Sequence, residues 1–293
     1  MKSKESTKTQ IFCHSVLVAI LIIAVIPFLL LFMSSITDES SLIANGYSFF
    51  PKDISLNAYR YIWGSKAEIF RAYGITILVT FTGTFLHLTL ASLLAYPLSL
   101  DNLPGKKFFT FYIVFTMLFS GGLVPQYLMW TGIFHIKNTI FAYILPRFML
   151  SAMNVIIIRS FFKANIPSAL YEAARIDGAS EFKVFLTVVL PLGKPILVSM
   201  GVFAGLNYWN DWTNGLYYVN EKGLYGIQNL INMMITDVQF LSSNSVGSAL
   251  IAEIPATTVR MAIAFIAMIP ILIIFPFLQK YFQKGMTVGA VKG

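Results

Sequence analysis

A chain of 293 residues that is 57% hydrophobic and only 12% charged, with mean hydropathy +0.72, is not an ordinary soluble domain, where about a quarter of residues carry charge. The net charge of +8 invites a nucleic-acid partner, but the basic residues are spread through connectors between apolar runs and form no dense stripe, which argues against one. The single cysteine, Cys13, rules out a disulfide within the chain and a metal site built on several thiolates.

The elements follow in chain order as six apolar runs, each near the ~20 residues that a bilayer crossing needs. Residues 1–10 form a polar N-terminus. The run at 11–33 outlasts a signal-peptide core and lacks a clean cleavage site, so it is read as an uncleaved first span. An outer segment follows, with Tyr59, Tyr61, Trp63, Phe70 and Tyr73 suited to a membrane–water boundary and a short surface helix expected at 64–73. Further spans are expected at 72–99, 108–130, 139–160, 192–212 and 260–281. Pro27, Pro97, Pro146 and Pro270 lie in or near spans, where a proline commonly bends a helix.

Between the fifth and sixth spans lies a second outer segment, 213–259, with a short amphipathic helix expected at 225–236 and a loop at 242–248. Residues 282–293 form a basic, glycine-rich tail. Thirteen Lys and Arg fall in the segments on the N-terminal side of this arrangement and seven on the other, with Arg147 inside the fourth run. Positive-inside bias then places both termini in the cytoplasm. The class is an all-α membrane protein, with a spanning domain over 11–281.

The most informative connector is the cytoplasmic loop 161–191. Asn165-Ile166-Pro167-Ser168 reads as a helix start with Ser168 as cap. A helix over 169–176 places Ala169, Ala173 and Ile176 on one side. Asp177-Gly178 is a turn signal, glycine being free to take positive φ. Ala179-Ser180 opens a second helix, with Phe182, Phe185 and Val189 expected to face the bundle. Small side chains beside single acidic ones suit a partner that packs closely.

This loop also carries a spacing: E-A-A, three residues, G, nine residues, an aliphatic residue, one residue, then L-P. Glu172, Ala173, Ala174, Gly178, Val188, Leu190 and Pro191 fill it, with valine where isoleucine is usual. It resembles the signature loop of binding-protein-dependent ABC importer permeases. The resemblance implies six transmembrane helices and a coupling helix docked in a groove of an ATPase subunit, with Asp177 joining the loop residues already named.

The implied partners are a second homologous permease, two ATPase subunits that hold ATP and Mg, and an extracytoplasmic sugar-binding protein, a lipoprotein in a Gram-positive host. The implied location is the bacterial cytoplasmic membrane. The chain contains no G-x-x-x-x-G-K-[ST] phosphate loop, so it is read as a transport subunit without its own ATPase site and with no cofactor of its own.

The tail is similar to that of maltose-type carbohydrate permeases, through Lys284, Gly285, Thr287, Gly289, Ala290 and Lys292. The resemblance implies insertion between the ATPases, and a simple positive anchor is the alternative. The whole chain resembles the smaller permease of that branch. Ser120-Gly121-Gly122-Leu123-Val124-Pro125 resembles a subgroup that takes oligosaccharides derived from complex polysaccharides.

Asn207, Trp209, Asn210 and Asp211, at the outer end of the fifth span, are the candidate substrate path, because tryptophans beside amides can stack on and hydrogen-bond sugars. An aromatic belt with helix-end capping explains the same residues. His87, in mid-span, is expected to hydrogen-bond another helix. His14, His87 and His135 lie on separate segments and suggest no metal site. Arg147 is expected to reach outward or to pair with an acid of the partner permease. A permease for a non-sugar solute remains open, since the loop spacing alone does not name the cargo. An ion-coupled carrier would need buried acids in several spans. A membrane enzyme would need a cluster of catalytic side chains at one boundary.

Overall fold

The computed structural model describes residues 7–64, 66–243 and 256–290, and among these the regular secondary structure is all helical, apart from one isolated bridge between Thr37 and Ile54. The helices are α1 (Thr7–Ser35), α2 (Glu39–Asn45), α3 (Asn57–Gly64), α4 (Lys66–Ser99), α5 (Lys106–Leu118), α6 (Leu123–Leu128), α7 (Phe141–Ile144), α8 (Ala152–Asn165), α9 (Ser168–Ile176), α10 (Glu181–Val184), α11 (Leu190–Trp209), α12 (Thr213–Tyr218), α13 (Ile227–Ser243) and α14 (Ala256–Ala290). Short π-helical turns follow α6 (Met129–Ile133) and α10 (Phe185–Val189).

Four helical stretches are long and apolar enough to cross a membrane: Thr9–Ser35, Lys66–Ser99, Glu181–Trp209 and Thr257–Ile274. A fifth arises if α5 and α6 with its π turn count as one span bent by 111°. Two of the six expected runs are therefore not straight helices. The run expected at 108–130 turns sharply at Phe119–Gly122, where Gly122 takes φ +86°. The run expected at 139–160 breaks between α7 and α8. Pro146, just past α7, has no N–H to continue a helical ladder. The surface helix expected at 64–73 is not separate either, for it is the first part of the 34-residue α4. The helix expected at 225–236 is present and longer, as α13.

The chain forms two compact units, one from its N-terminal part to Ala67 with Ile231–Ile271, the other from Glu68–Leu230 with Leu272 onward. In the first, Glu39 of α2 accepts hydrogen bonds from the backbone N–H groups of Thr257 and Thr258 (2.8 and 2.7 Å) and from the Thr258 hydroxyl (2.7 Å). A carboxylate thus satisfies free amides in the first turn of α14, where the helix dipole also favours it. Phe32 of α1 packs on Phe265 of α14 at 5.0 Å between ring centres. Most large side chains of α1 from Ile11 to Leu29 are exposed.

In the second unit, small residues let helices approach. A side-chain carbon on Gly83 of α4 would lie 2.5 Å from the Tyr208 ring of α11, and one on Gly193 of α11 would lie 2.5 Å from the Phe162 ring of α8. Between helices in lipid, such close packing replaces the hydrophobic drive available in water. His87 of α4 is 2% exposed. Its Nδ1 donates to the Phe148 carbonyl at 2.7 Å and its Nε2 accepts from Asn154 Nδ2 at 2.8 Å. This is the inter-helix role expected of it, and it supplies one carbonyl left open in the α7–α8 break with a donor.

Candidate functional site: the loop after α8

α8 ends at Asn165, and Ile166-Pro167 turns the chain into α9. Ser168 is the first helical residue and does not cap it; Pro167 holds the cap position and makes no side-chain bond. A residue before the helix can cap it, but Ser168 is already inside, so its hydroxyl is misplaced for that role. Tyr171 is 7% exposed, and with Ala174 it packs onto the core of α4, α8 and α11. Ala169, Glu172 and Ala173 are exposed, and Ile176 is 85% exposed. The helix therefore buries Tyr171 and leaves Ala169, Glu172, Ala173 and Ile176 uncovered, with Leu170 exposed as well.

The turn closes on glycine. Gly178 has φ +75° with open space where a side chain would stand, so conformation rather than room requires glycine there. The N–H groups of Asp177, Gly178 and Ala179 return to the carbonyls of Ala173, Arg175 and Ala174 at 3.0 Å each. Asp177 itself is exposed. Ser180 caps α10 by accepting from the Lys183 N–H at 3.3 Å. Phe185 and Val189 are buried as expected, but Phe182 is 62% exposed. Helical spacing puts Phe182 on the same face as Phe185 and Val189, but it stands in the first turn of α10, its ring 6.4 Å from that of Phe185, at the margin of the core rather than inside it. Leu190 is half-buried in the core and Pro191 is exposed. Pro191 cannot donate to the carbonyl four residues back, and the helix widens into its π turn just before it.

Polar ties fasten this loop to its surroundings. Arg175 Nε donates to Glu181 Oε1 at 2.7 Å, and Tyr96 of α4 donates to Glu181 Oε2 at 2.6 Å. The Glu181 carboxylate raises the Arg175 pKa further above its already high value. Lys163 and Lys106 donate to Asp101 Oδ1 at 2.7 and 3.2 Å, and Lys163 followed by Lys106 holds that carboxyl below the usual range. Arg159 Nε donates to the Leu98 carbonyl at 2.9 Å near the end of α4. A cavity of about 1140 Å³ opens between the α4–α5 turn and α9, lined by Leu100, Asp101, Lys163, Tyr171, Glu172 and Arg175 among others.

The candidate substrate-path residues do not converge. Asn207 and Asn210 are exposed, whereas Trp209 and Asp211 are each 7% exposed. Asp211 accepts from the Asn214 backbone N–H at 3.1 Å and from Asn214 Nδ2 at 2.7 Å, in the first turn of α12. The Trp209 ring lies 6.4 Å from that of Tyr73. Arg147 sits with its guanidinium 5.5 Å from the Phe148 ring centre.

Sequence reasoning missed Tyr143, Tyr208 and Asn229, which tie this end together. Tyr208 donates to the Ile144 carbonyl at 3.1 Å, Tyr143 to the Leu224 carbonyl at 3.1 Å, and Asn229 Nδ2 to the Trp212 carbonyl at 2.9 Å. Only their polar tips within apolar runs could have signalled it. Among the tail residues, Lys284, Gly285, Thr287 and Gly289 lie on the helical backbone of α14. Their side chains, and Lys292 altogether, lie outside the described residues. Among the described residues no three of His, Cys, Asp and Glu come together as a metal site would need.

A multi-pass helical membrane protein with a small, outward-facing helix between two of its packed helices is the class these features define. The pattern of the inner membrane component of binding-protein-dependent transport systems matches residues 87–288, and the chain belongs to that family. It is 35% identical to Protein LplC of Bacillus subtilis, over 92% of this chain and 90% of that one. It is 34% identical to the polygalacturonan/rhamnogalacturonan transport system permease protein YtcP of the same organism, over 93% and 94%. Among solved structures it is similar to a chain of a bacterial ABC transporter involved in the import of the acidic polysaccharide alginate. There the TM-score is 0.80 and the identity 28%, covering 95% of this chain and 99% of that one. The chain is a transport subunit, and its family places it in the membrane rather than among the ATPases.

Proposed function

We propose that this chain is one permease of an ATP-driven importer of oligosaccharides released from a complex polysaccharide, with α9 as the helix that docks on an ATPase subunit. The observation that carries the reading is the outward face of α9. An ordered helix that spends one face on the core and leaves Ala169, Ala173 and Ile176 open is built for close approach by another protein. The relatives' printed substrates, polygalacturonan, rhamnogalacturonan and alginate, support the cargo class.

On this reading the broken stretch from α7 to α8 and the bent stretch from α5 to α6 each complete a crossing. That makes six, with both termini cytoplasmic. A second, homologous permease completes the pathway, two ATPases carry ATP and Mg, and an outer binding protein delivers the sugar. The tail at 282–293 reaches toward the ATPases.

Two measurements test this. In a Cys13→Ser background, a cysteine at Ser40 labels from outside intact cells and one at Ser180 only after permeabilisation; outside labelling at Ser180 would overturn the topology. In the reconstituted complex, oligogalacturonides or oligoalginates stimulate ATP hydrolysis through the binding protein. A response only to a non-sugar solute would overturn the cargo class.

A further inference from the structure

Glu181 is shared between two partners that lie far apart in the chain. One of its oxygens accepts from Arg175, in the last turn of α9, and the other from Tyr96, in the last turn of α4. Glu181 itself opens α10, which runs through the π turn into α11. One carboxylate therefore joins the outward-facing helix, the start of one spanning helix and the end of another. Tyr96 is 6% exposed, and its ring also packs on Tyr171 of α9 and Phe185, at 6.0 and 5.7 Å between ring centres.

The Arg175–Glu181 pair alone is exposed, and pairs of that kind contribute little to stability. The Tyr96 hydroxyl differs, because it is held at a buried ring and aimed at the far oxygen of the same carboxylate. Along the chain, α9 is joined to α8 by Ile166-Pro167 and to α10 by Asp177–Ser180, but nothing covalent nearby joins it to α4. A push on α9 would reach α11 through the backbone, whereas α4 feels it only through side chains.

We infer that Tyr96, Glu181 and Arg175 form a latch that makes the end of α4 move with α9, so that ATPase closure drives α4 and α11 together. This rests on the docking role of α9 given above. The three act as positioning residues and need touch neither sugar nor nucleotide. Rigid transfer needs a fixed geometry between the helices, and a bifurcated carboxylate held from two sides supplies that better than ring packing, which allows sliding.

The test uses the whole complex in proteoliposomes and reads ATP hydrolysed per sugar imported. Tyr96→Phe removes one hydroxyl and keeps the ring contacts, so folding is spared. It should raise the ATP-to-sugar ratio by roughly three- to ten-fold, the scale of one ordinary hydrogen bond, while the ATPase subunits co-purify as in wild type. Arg175→Glu should do the same, and Arg175→Glu with Glu181→Arg should bring the ratio back toward wild type, since the swapped guanidinium can donate to both partners.

An unchanged ratio in Tyr96→Phe overturns the latch. So does a raised ratio accompanied by loss of ATPase subunits or by a lowered melting temperature, because that marks a merely structural role. Ala173→Trp separates the two layers. If it keeps ATPase binding and uptake, the docking role itself is wrong; if it loses them while Tyr96→Phe stays coupled, docking stands and the latch falls.

Discussion

The two ends of α11 are treated oppositely by the chain. At the Leu190 end the adjoining loop displays Glu172, Ala173 and Ile176 on an uncovered face, while its inward residues pack and its charges pair at the margin. At the Trp209 end, Asp211, Asn214, Tyr208, Tyr143 and Asn229 turn inward and satisfy one another or nearby carbonyls. Polar residues that close on themselves hold a fold together. Small residues that an ordered helix leaves open are, on the proposed function, the surface that meets a partner. The same composition, an acid among small and amide side chains, thus serves different ends according to whether its hydrogen bonds are made within the chain.

The sharpest way to break this contrast is at the open face. Ala173→Trp should abolish uptake, at least about ten-fold down, with stability unchanged to within about 0.5 kcal/mol, because the site is exposed. Gly178→Val should reduce uptake as strongly and also destabilise by about 1–2 kcal/mol, because a β-branched residue resists the left-handed conformation. Uptake assays beside thermal unfolding in detergent read both. Wild-type uptake in both variants would place the functional surface elsewhere.

The next effect belongs to the closed end. Asp211→Ala should lower stability by about 1–3 kcal/mol, the cost of leaving Asn214 unpaired in a buried site, and transport should fall only in step with the folded fraction. A steep transport loss at wild-type stability would show that Asp211 meets the cargo after all. The smallest effect is expected at Asn210, which is exposed at the end of α11. Asn210→Ala should leave stability within about 0.5 kcal/mol and lower uptake a few-fold if the sugar passes it. Equal loss of assembled complex and uptake would make it structural instead.

Much of the loop between α8 and α11 was legible because its cues are local. A helix after Pro167, a turn at Asp177-Gly178 and a second helix opening at Ala179-Ser180 depend on residues within one or two turns, and each stands where expected, though the cap expected at Ser168 does not form. Phe182 escaped because its spacing to Phe185 and Val189 invites an inward reading, and only its place at the open end of α10, past the edge of the core, leaves it exposed. The cluster at the Trp209 end was less legible. Trp209 and Asn210 are adjacent in sequence yet part company, one buried and one exposed, and their buried neighbours come from α7, α12 and α13.

Composition and apolar run length by themselves determined a helical membrane protein, and the E-A-A to L-P spacing determined its family, since both are properties of contiguous residues. The straightness of the spans was decided by tertiary structure. Pro146 and Gly122 permit a break or a bend, but whether one forms depends on a donor such as His87 reaching the freed carbonyl from another helix. The sharing of Glu181 between Tyr96 and Arg175 was likewise decided in space. The tyrosine and the carboxylate stand 85 residues apart in the chain, and no local pattern records which hydroxyl a surface acid will meet.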